Sequence, residues 1–306
     1  MITHYFRSVK EGSLQQVKGV RPGTWVHVEN PSNEEIDELS KLCGLSRDLL
    51  QDAVDFYEVP RFESEKGIAY FFTRFPHEKD SEMGTAPIMF AVTPTAVVSV
   101  ARERPACLDQ YINGKMPLYT TQRTKLFLLL VQAIHTSYRK TLIAIRRDVQ
   151  KSRVNIRKIR TNDIVRLVSL ESTLNDFISA LTPTYTALKT VLSGTYLQLY
   201  DDDRDIVEDI QLEDQQLVET AKASLKTIQN IRSAYMAIVT NNLNAVMKVL
   251  TSITIILTIP TVIGSLYGMN ILLPYANAPH AFYGITLLIL GTMGLAAWLF
   301  AKRDWL

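Results

Sequence analysis

The chain has 306 residues, 47% of them hydrophobic, and its 33 basic and 31 acidic side chains leave a formal charge of +2. A soluble protein of this length would have about two domains, but the apolar residues are concentrated at the C-terminal end, which indicates a membrane protein. Cys43 and Cys107 are isolated from each other, which argues against a disulfide framework, and we expect reduced thiols that bind no metal.

Residues 1–120 are predicted to form a cytoplasmic α/β domain. Short runs rich in β-branched and aromatic residues alternate there with segments of helical character. The predicted strands are TWVHVE at 24–29, AYFFTRF at 69–75 and IMFAVTPTAVVSVA at 88–101.

Two short helices are predicted between the first two of these runs. Ser32 and Glu35 have the spacing of a capping box, and Gly44 supplies the stop signal for the helix that follows. A second helix is expected over residues 46–54.

Long helices are predicted from about residue 121 onward, where prolines and glycines become rare. The first covers residues 124–160, and the second covers 162–200 with an interruption near Pro183. A third begins in an acidic segment and meets no strong helix breaker before Pro260. If it is continuous over 205–267, its length is roughly 90 Å, at a rise of about 1.5 Å per residue.

Charge is segregated along these helices. Residues 139–160 carry nine basic side chains and one acid, Asp148, whereas residues 201–219 are strongly acidic. A basic helix can bind nucleic acid or anionic lipid, but this one lacks the aromatic side chains that stack on bases. A solvated face or pairing with the acidic segment explains it as well, and no nucleic-acid partner is predicted.

Two transmembrane helices are predicted near the C-terminus. Residues 249–266 and 281–301 contain no charged side chain, and each has about the 20 residues that a helix needs to cross the hydrocarbon core. The alternative is a pair of buried core helices in a soluble protein.

Orientation follows from the charges that flank the two spans. Lys248 precedes the first span, Lys302 and Arg303 follow the second, and the connecting loop contains no Lys or Arg. The positive-inside rule therefore places both termini in the cytoplasm. Residues 1–13 lack an apolar segment, so no cleaved signal peptide is expected.

Two lines of residues at heptad spacing run through the first span and the segment that precedes it, and seven of their eight members are polar or small; we call these two lines the stripe. A 3.5-residue repeat keeps two such lines on one face of a helix in a bundle. One line is Asn244, Thr251, Thr258 and Ser265, and the next is Met247, Thr254, Thr261 and Gly268. Threonine in a membrane helix often only bonds back to its own backbone or joins two helices.

Several copies of this helix around an axis would form a pore without fixed charge. Magnesium holds its water ligands tightly, so neutral oxygen atoms that contact the hydrated ion are a suitable means of recognition. We expect the Asn270 amide to serve at the mouth, with Gly268 permitting a tight helix end. Met247 and Leu250 would form an apolar constriction near the cytoplasmic end.

These residues carry a resemblance to a known family. YGMN at 267–270, after the first of two C-terminal spans and with the basic tail KRDWL after the second, resembles the signature of the CorA family of magnesium transporters. The segment NAVMKVLTSITIILTIPTVIGSLYGMN is similar to that family's pore helix over its whole length. Residues 24–72 are more loosely similar to its cytoplasmic α/β domain.

The resemblance implies an α+β fold assembled as a funnel-shaped homopentamer in the lipid bilayer of a bacterial-type plasma (inner) membrane. It implies six regions: a cytoplasmic α/β domain at 1–120, a helical stalk at 121–248, the pore-lining span at 249–267, an outer loop at 268–280, a second span at 281–301 and a basic tail at 302–306.

The resemblance also implies a role for particular residues. Gly268, Met269 and Asn270 match the selectivity motif, and Met247 and Leu250 match a hydrophobic gate. Asp52 and Asp209 match two carboxylates, from adjacent subunits, that bind a regulatory Mg²⁺ ion. Asn244, Met247, Leu250 and Thr261 match pore-lining positions of the family, and the heptad spacing adds Thr251, Thr254, Thr258 and Ser265 to the predicted pore lining.

Three departures from the family pattern affect these expectations. Thr258 lies near a position where relatives often carry a bulky apolar residue, so a second constriction is not predicted. The outer loop ILLPYANAPH lacks the acid common in relatives, and the first long helix is basic where relatives are often acidic.

The predicted function is passive, potential-driven Mg²⁺ influx that intracellular Mg²⁺ closes. Without a GxxxxGK[ST] phosphate loop, an ATP-driven pump is not expected, and neither is an organic cofactor. The alternatives are the same architecture carrying cobalt, nickel or zinc, although no His or Cys lies on the stripe as zinc would favour, and a membrane-anchored sensor or scaffold. An enzyme is not predicted, because no nucleophile, base and orienting acid occur at meaningful spacing.

Overall fold

The computed structural model describes residues 1–10, 13–80, 82–154, 160–270 and 279–305. Its contacts divide the chain into two compact units, Met1–Ile231 and Arg232–Leu306. The first unit contains a sheet and the helices packed on it. The second contains the two apolar C-terminal helical segments.

A seven-stranded mixed sheet is the centre of the first unit. Its strand order is β2-β1-β3-β7-β6-β5-β4, and β3 and β7 are parallel while every other neighbouring pair is antiparallel. The strands are β1 (Ile2–Phe6), β2 (Gln15–Gln16), β3 (Thr24–Glu29), β4 (Arg61–Glu65), β5 (Ile68–Lys79), β6 (Glu82–Val92) and β7 (Ala96–Ala101).

The predicted runs all lie in this sheet, but the run at 88–101 forms two strands. The Thr93 hydroxyl accepts hydrogen bonds from the backbone N–H groups of Thr95 and Ala96, at 3.2 and 2.8 Å, and so fixes the turn between β6 and β7. The antiparallel pairing of these two strands replaces the simple alternation of strand and helix that the sequence indicated.

Both faces of the sheet are buried. The side chains of Phe71 and Phe90 pack on one face against Phe127 of the first long helix, in a core cluster that also contains Phe177. Their neighbours in the strands point to the other face, where they pack against α1 (Asn33–Cys43) and α2 (Arg47–Asp52). The predicted capping box of α1 is confirmed. Glu35 N–H donates to Ser32 Oγ at 3.2 Å, and Ser32 N–H donates to Glu35 Oε2 at 3.0 Å.

A short helix α3 (Asp109–Ile112) leads into three long helices, α4 (Arg123–Val154), α5 (Thr161–Leu192) and α6 (Asp201–Tyr267). The predicted first helix extended to residue 160, but residues 155–159 lie outside the described chain and a new helix begins at Thr161. The predicted interruption at Pro183 is wrong, because α5 is continuous through it. Leu181 and Leu188, on either side, are buried in the core, and this packing offsets the lost backbone hydrogen bond.

The predicted end of the second helix at residue 200 is also wrong. α5 ends at Leu192, and Gly194 has φ of 70°, a conformation that glycine adopts without the steric cost of a side chain. The chain can therefore leave the helix there.

Helix α6 is a single helix of 67 residues, which corresponds to about 100 Å at 1.5 Å per residue. Pro260 lies within it, and the predicted continuity to Tyr267 is confirmed. Within the described ranges, α6 and α7 (Ala281–Lys302) are the two helices long and apolar enough to cross a membrane. Only 6% of the apolar window of α6 and none of that of α7 is buried, so these segments do not form the core of a soluble domain.

Candidate functional site

The predicted pore-lining residues of α6 are exposed along one side of the helix. The other side is partly covered: Ser252 is fully buried, and Ile256 and Ile263 are half-buried. With 3.6 residues per turn, these covered positions fall opposite the stripe. All eight predicted positions are exposed: Asn244, Met247, Leu250, Thr251, Thr254, Thr258, Thr261 and Ser265.

Three of the four threonine hydroxyls of the stripe have a common orientation. Thr254, Thr258 and Thr261 each donate to the backbone carbonyl four residues earlier, at 2.8, 2.7 and 3.1 Å. The hydrogen of each hydroxyl is thereby used within the helix, and the oxygen lone pairs remain available on the exposed face. The stripe therefore presents a column of hydrogen-bond acceptors, which is suited to the O–H groups of water bound to a cation.

This bonding pattern is not unique to the stripe. Thr286 and Thr292 of α7 donate to their own backbone in the same way, both at 2.8 Å. Back-bonding alone is thus a general property of threonine in an apolar helix. The alignment of three acceptors on one uncovered face of α6 is the feature that distinguishes the stripe.

The YGMN segment ends the helix. Tyr267 is the last residue of α6, and the Gly268 N–H is shared between the carbonyls of Gly264 and Ser265, at 2.9 and 3.2 Å. A Cβ at Gly268 would lie 3.3 Å from the Gly264 carbonyl oxygen, which is tighter than an ordinary contact. Met269 and Asn270 follow with exposed side chains. The rest of the predicted outer loop, 271–278, lies outside the described residues.

The predicted gate lies on a part of α6 that is exposed on every side. Residues 241–250 are all exposed, and Met247 and Leu250 are each 57% exposed. Exposed apolar side chains of this size need a covering. Lipid or other copies of the chain can provide this covering, which a single copy of the helix lacks.

The C-terminal tail forms a helix cap that the sequence did not reveal. Trp305 N–H donates to the Phe300 carbonyl at 3.0 Å and Asp304 N–H to that of Ala301 at 3.3 Å, with Asp304 at φ of 53°. This is a Schellman motif, and the stacked rings of Phe300 and Trp305 are its usual apolar contact. The turn brings the Trp305 carbonyl oxygen to 3.5 Å from the hydroxyl of Ser252 on α6.

Asp52, one of the two predicted regulatory carboxylates, is already bound by a cation of its own chain. It is the last residue of α2, and its Oδ2 accepts a hydrogen bond from Arg61 Nη2 at 2.7 Å. Its side chain is 44% exposed. Sequence reasoning missed Arg61, which lies nine positions away and on a different element.

Asp209, the other predicted carboxylate, lies on the exposed side of α6. Val207 and Ile210 on the same turn are buried in the core, which turns Asp209 toward solvent. The prediction pairs Asp52 of one subunit with Asp209 of another, so the single chain brings no such pair together. It therefore stays a prediction.

The basic and acidic segments meet at one ion pair in the described chain. Arg139 Nη2 of α4 lies 2.6 Å from Glu213 Oε1 of α6. Arg166 of α5 binds the carboxylate of Asp148, the single acid of the basic segment. Pairing between helices, one of the alternatives for this segment, thus occurs at Arg139.

Both cysteines are unbonded thiols. Burial raises the pKa of the Cys43 thiol to about 11 and that of Cys107 to about 12. They therefore stay protonated at neutral pH, in a form that is a poor metal ligand.

Comparison with known proteins gives consistent matches over nearly the whole chain. A family model described as CorA-like Mg²⁺ transporter protein matches residues 23–303. The cobalt/magnesium transport protein CorA of Methanocaldococcus jannaschii is 23% identical over 290 residues, which cover 92% of this chain and 91% of that protein.

Two full-length structures share the fold. The complete structure of the CorA magnesium transporter from M. jannaschii matches with a TM-score of 0.89 at 19% identity, over 100% of this chain and 99% of that one. The full-length CmaX protein matches with a TM-score of 0.75 at 17% identity, over 100% and 98% of the two chains. The mixed sheet, the long helices and the two apolar C-terminal helices are therefore features of a known architecture.

Proposed function

This chain belongs to the CorA-like Mg²⁺ transporter family, as its motifs predicted, and from that premise we propose that it is a homopentameric channel for passive Mg²⁺ influx. In the proposed assembly, α6 of each subunit lines a central pore and α7 lies outside it. Gly268, Met269 and Asn270 form the selectivity motif at the outer mouth, and Met247 and Leu250 form the gate. The funnel shape and the number of subunits are part of the proposal.

The acceptor column on α6 is the observation that carries this proposal. Five copies of the helix would surround the pore with hydroxyl and amide oxygens and no charged side chain. Such a wall can hydrogen-bond the outer surface of hydrated Mg²⁺ and spares the ion the large cost of losing its waters. Anchoring alone would require no polar stripe on the uncovered side of a membrane helix, since polar groups facing lipid are unfavourable.

Location and orientation follow the charges at the ends of the spans. Lys248 lies at one end of the α6 apolar segment, and Lys302 and Arg303 lie at the corresponding end of α7. We place this end, with both termini, in the cytoplasm of a bacterial-type cell, and the YGMN segment outside. Mg²⁺ would thus enter at Asn270 and leave past Met247.

The membrane potential is sufficient to drive this transport. An inside-negative potential supplies roughly 2.3 kcal/mol per charge for each 100 mV, or about 4.6 kcal/mol for Mg²⁺. That energy corresponds to a concentration ratio on the order of 10³. No nucleotide or coupled ion is required.

Proteoliposomes that contain a Mg²⁺-sensitive dye test this directly. With low and equal Mg²⁺ on both sides and no nucleotide, we expect influx at an inside-negative potential, efflux at an inside-positive one and no net flux at zero. A flux that ignores the sign of the potential would contradict passive conduction. Background flux at every potential would favour the membrane-anchored sensor or scaffold.

Gating is proposed to depend on Asp52 and Asp209. Two carboxylates from adjacent subunits repel each other until a divalent cation binds between them, so the assembly can respond to cytoplasmic Mg²⁺. Replacing both with Asn is expected to raise the internal Mg²⁺ concentration that halves the flux by about ten-fold or more, because the ion loses its charged ligands.

The matched control for this double substitution is Asp48→Asn with Asp205→Asn. It removes the same two charges from exposed positions on α2 and α6, and we expect an unchanged inhibition curve. A regulatory role for Asp52 and Asp209 is rejected if both double variants behave alike.

Cobalt is the second candidate cargo. The M. jannaschii relative is named a cobalt/magnesium transport protein, and a wall of neutral oxygens does not distinguish strongly between hydrated divalent ions of similar size. Competition of cobalt, nickel and zinc against Mg²⁺ flux in the same liposomes would rank the ions. Preferential transport of any of them would revise the assignment of Mg²⁺ as the main cargo.

A further inference from the structure

Arg61 is the centre of a compact charged cluster in the first unit. Its Nη2 donates to Asp52 at 2.7 Å, its Nε donates to Glu63 at 2.5 Å, and its Nη1 pairs with Glu58. Its guanidinium carbon lies 4.1 Å from the centroid of the Phe72 ring. One cation thus serves three carboxylates, which leaves these four side chains with a formal charge of −2.

The position of Asp52 explains why it needs a cation. A carboxylate at the end of a helix meets the negative end of the helix dipole, and Asp52 is the last residue of α2. In the single chain this cation is Arg61. Among the described residues, no three acidic, His or Cys side chains are placed to hold a metal by themselves. A divalent ion at Asp52 therefore needs a ligand from elsewhere, and it must also displace the guanidinium.

We propose that Arg61 is a built-in competitor for Asp52, which holds the carboxylate when cytoplasmic Mg²⁺ is low and sets the Mg²⁺ concentration at which the channel closes. This inference rests on the proposed regulatory role of Asp52. It adds a residue, Arg61, to the proposed pairing of Asp52 with Asp209. It also predicts that loss of Arg61 lowers the Mg²⁺ concentration that closes the channel, whereas loss of Asp52 raises it.

The geometry makes the exchange inexpensive for Arg61. When Mg²⁺ takes Asp52, the guanidinium loses one of three carboxylate partners and keeps Glu58, Glu63 and its contact with Phe72. Its remaining partners are fixed: Glu63 lies in β4, paired with Tyr70 of β5, and Arg74 donates to the Glu58 carbonyl at 2.9 Å. Arg61 can therefore release Asp52 without leaving its place on the sheet.

The exposure of the pair permits the competition. The side chains of Arg61 and Asp52 are 30% and 44% exposed, so water and ions reach the contact. Ion pairs of this exposure are weak, whereas Mg²⁺ carries twice the charge and prefers carboxylate oxygen. At high Mg²⁺ concentration the ion therefore binds the Asp52 carboxylate, and at low concentration Arg61 binds it.

The test is the flux-inhibition curve of the full chain in proteoliposomes, measured for Arg61→Gln, Arg47→Gln and Asp52→Asn. Arg47→Gln is the matched control, because Arg47 makes a similar exposed pair with Asp37, at 2.7 Å, at the start of the same helix. We expect Arg61→Gln to lower the half-inhibiting Mg²⁺ concentration about three- to ten-fold, from the loss of one positive charge beside the ion. Arg47→Gln should leave it unchanged, and Asp52→Asn should raise it.

The outcomes separate this proposal from the proposed function. If Asp52→Asn raises the half-inhibiting concentration but Arg61→Gln leaves it unchanged or also raises it, the competition is wrong and the regulatory role of Asp52 stands. If neither Asp52→Asn nor Arg61→Gln moves the curve, the regulatory role itself fails and takes this inference with it.

Binding provides a second readout that does not depend on conduction. An ion that binds only the folded protein raises its unfolding temperature. We expect the detergent-solubilised Arg61→Gln protein to reach half of its Mg²⁺-induced stabilisation at a lower Mg²⁺ concentration than the native chain. If Arg61→Gln does not fold, Arg61→Lys keeps the charge but cannot contact three carboxylates at once, and a smaller shift in the same direction is expected. No shift, or a shift to higher concentration, overturns the proposal.

Discussion

Replacing Asn270 with alanine is expected to reduce Mg²⁺ flux about 70-fold or more in a protein that still folds and assembles. Asn270 is exposed just after the end of α6, and in the proposed pentamer five copies of its amide surround the outer mouth. A hydrogen bond contributes roughly 0.5–1.5 kcal/mol, so five bonds to one hydrated ion total at least about 2.5 kcal/mol. That sum is close to two orders of magnitude in the rate of entry.

The measurement is dye-reported flux at an inside-negative potential, with oligomeric size and unfolding temperature as checks of integrity. Asn242→Ala is the matched control, since Asn242 is exposed on the same helix but on a different side from the stripe. Asn270→Gln keeps the amide and moves it by one methylene group, so an intermediate flux is expected. If Asn270→Ala retains more than about a tenth of the native flux, the amide is not the group that selects the ion. Such a loss corresponds to less than about 1.4 kcal/mol, which is below the sum expected for five hydrogen bonds.

The features predicted well from sequence are those fixed by local pattern. The continuity of α6 follows from the absence of breakers over most of its length, and its stripe follows from the spacing of polar residues. The capping box at Ser32 and the stop at Gly44 are equally local. Each of these features is determined by residues that are close together in the sequence.

The errors arose where distant contacts decide the outcome. Pro183 carries a strong helix-breaking signal, yet the core contacts of α5 on the sheet hold the helix together. Strand β4, with the sequence RFESE, has little β-character of its own and exists because it pairs along the edge of β5. Tertiary packing, which no local pattern records, overrides propensity in both cases.

The same division applies to the candidate site. The stripe can be predicted from the sequence because a helix places residues at fixed intervals, and YGMN can be recognised because its four residues are contiguous. The Arg61 contact with Asp52 and the Trp305 contact with Ser252 join elements whose proximity only the fold creates. Regulation that depends on such contacts is therefore visible only once the structure is known.

A buried pair on the long helices gives the second large expectation. His135 of α4 and Asp214 of α6 have side chains that are 1% and 0% exposed, with Nε2 and Oδ1 2.8 Å apart. His135 Nδ1 lies 3.1 Å from the Val131 carbonyl, which can only accept, so this nitrogen carries a proton. Asp214 Oδ2 has no hydrogen-bond partner among the described residues.

Asp214→Ala is expected to lower the free energy of unfolding by about 3–5 kcal/mol, because it leaves a buried imidazole nitrogen without a partner and a small cavity beside it. For a chain of this size the unfolding temperature should fall by roughly 5–8 °C. Asp214→Asn can donate to the same nitrogen and should cost much less. Asp202→Ala, at a side chain 86% exposed on the same helix, is the control and should change little.

The dependence of this effect on pH identifies where the proton resides. Burial raises the pKa of Asp214, and its hydrogen bond with His135 only partly opposes that shift. A protonated carboxyl that donates to neutral His135 leaves Oδ2 uncharged, which reduces the cost of its missing partner. Because the folded-state pKa is raised, the stabilisation is complete below the ordinary aspartate pKa and is lost as the pH rises through the raised value. The unfolding temperature of the native chain, relative to Asp214→Asn, should therefore fall as the pH rises from about 4. A relative rise over the same range would instead indicate a charged pair of imidazolium and carboxylate.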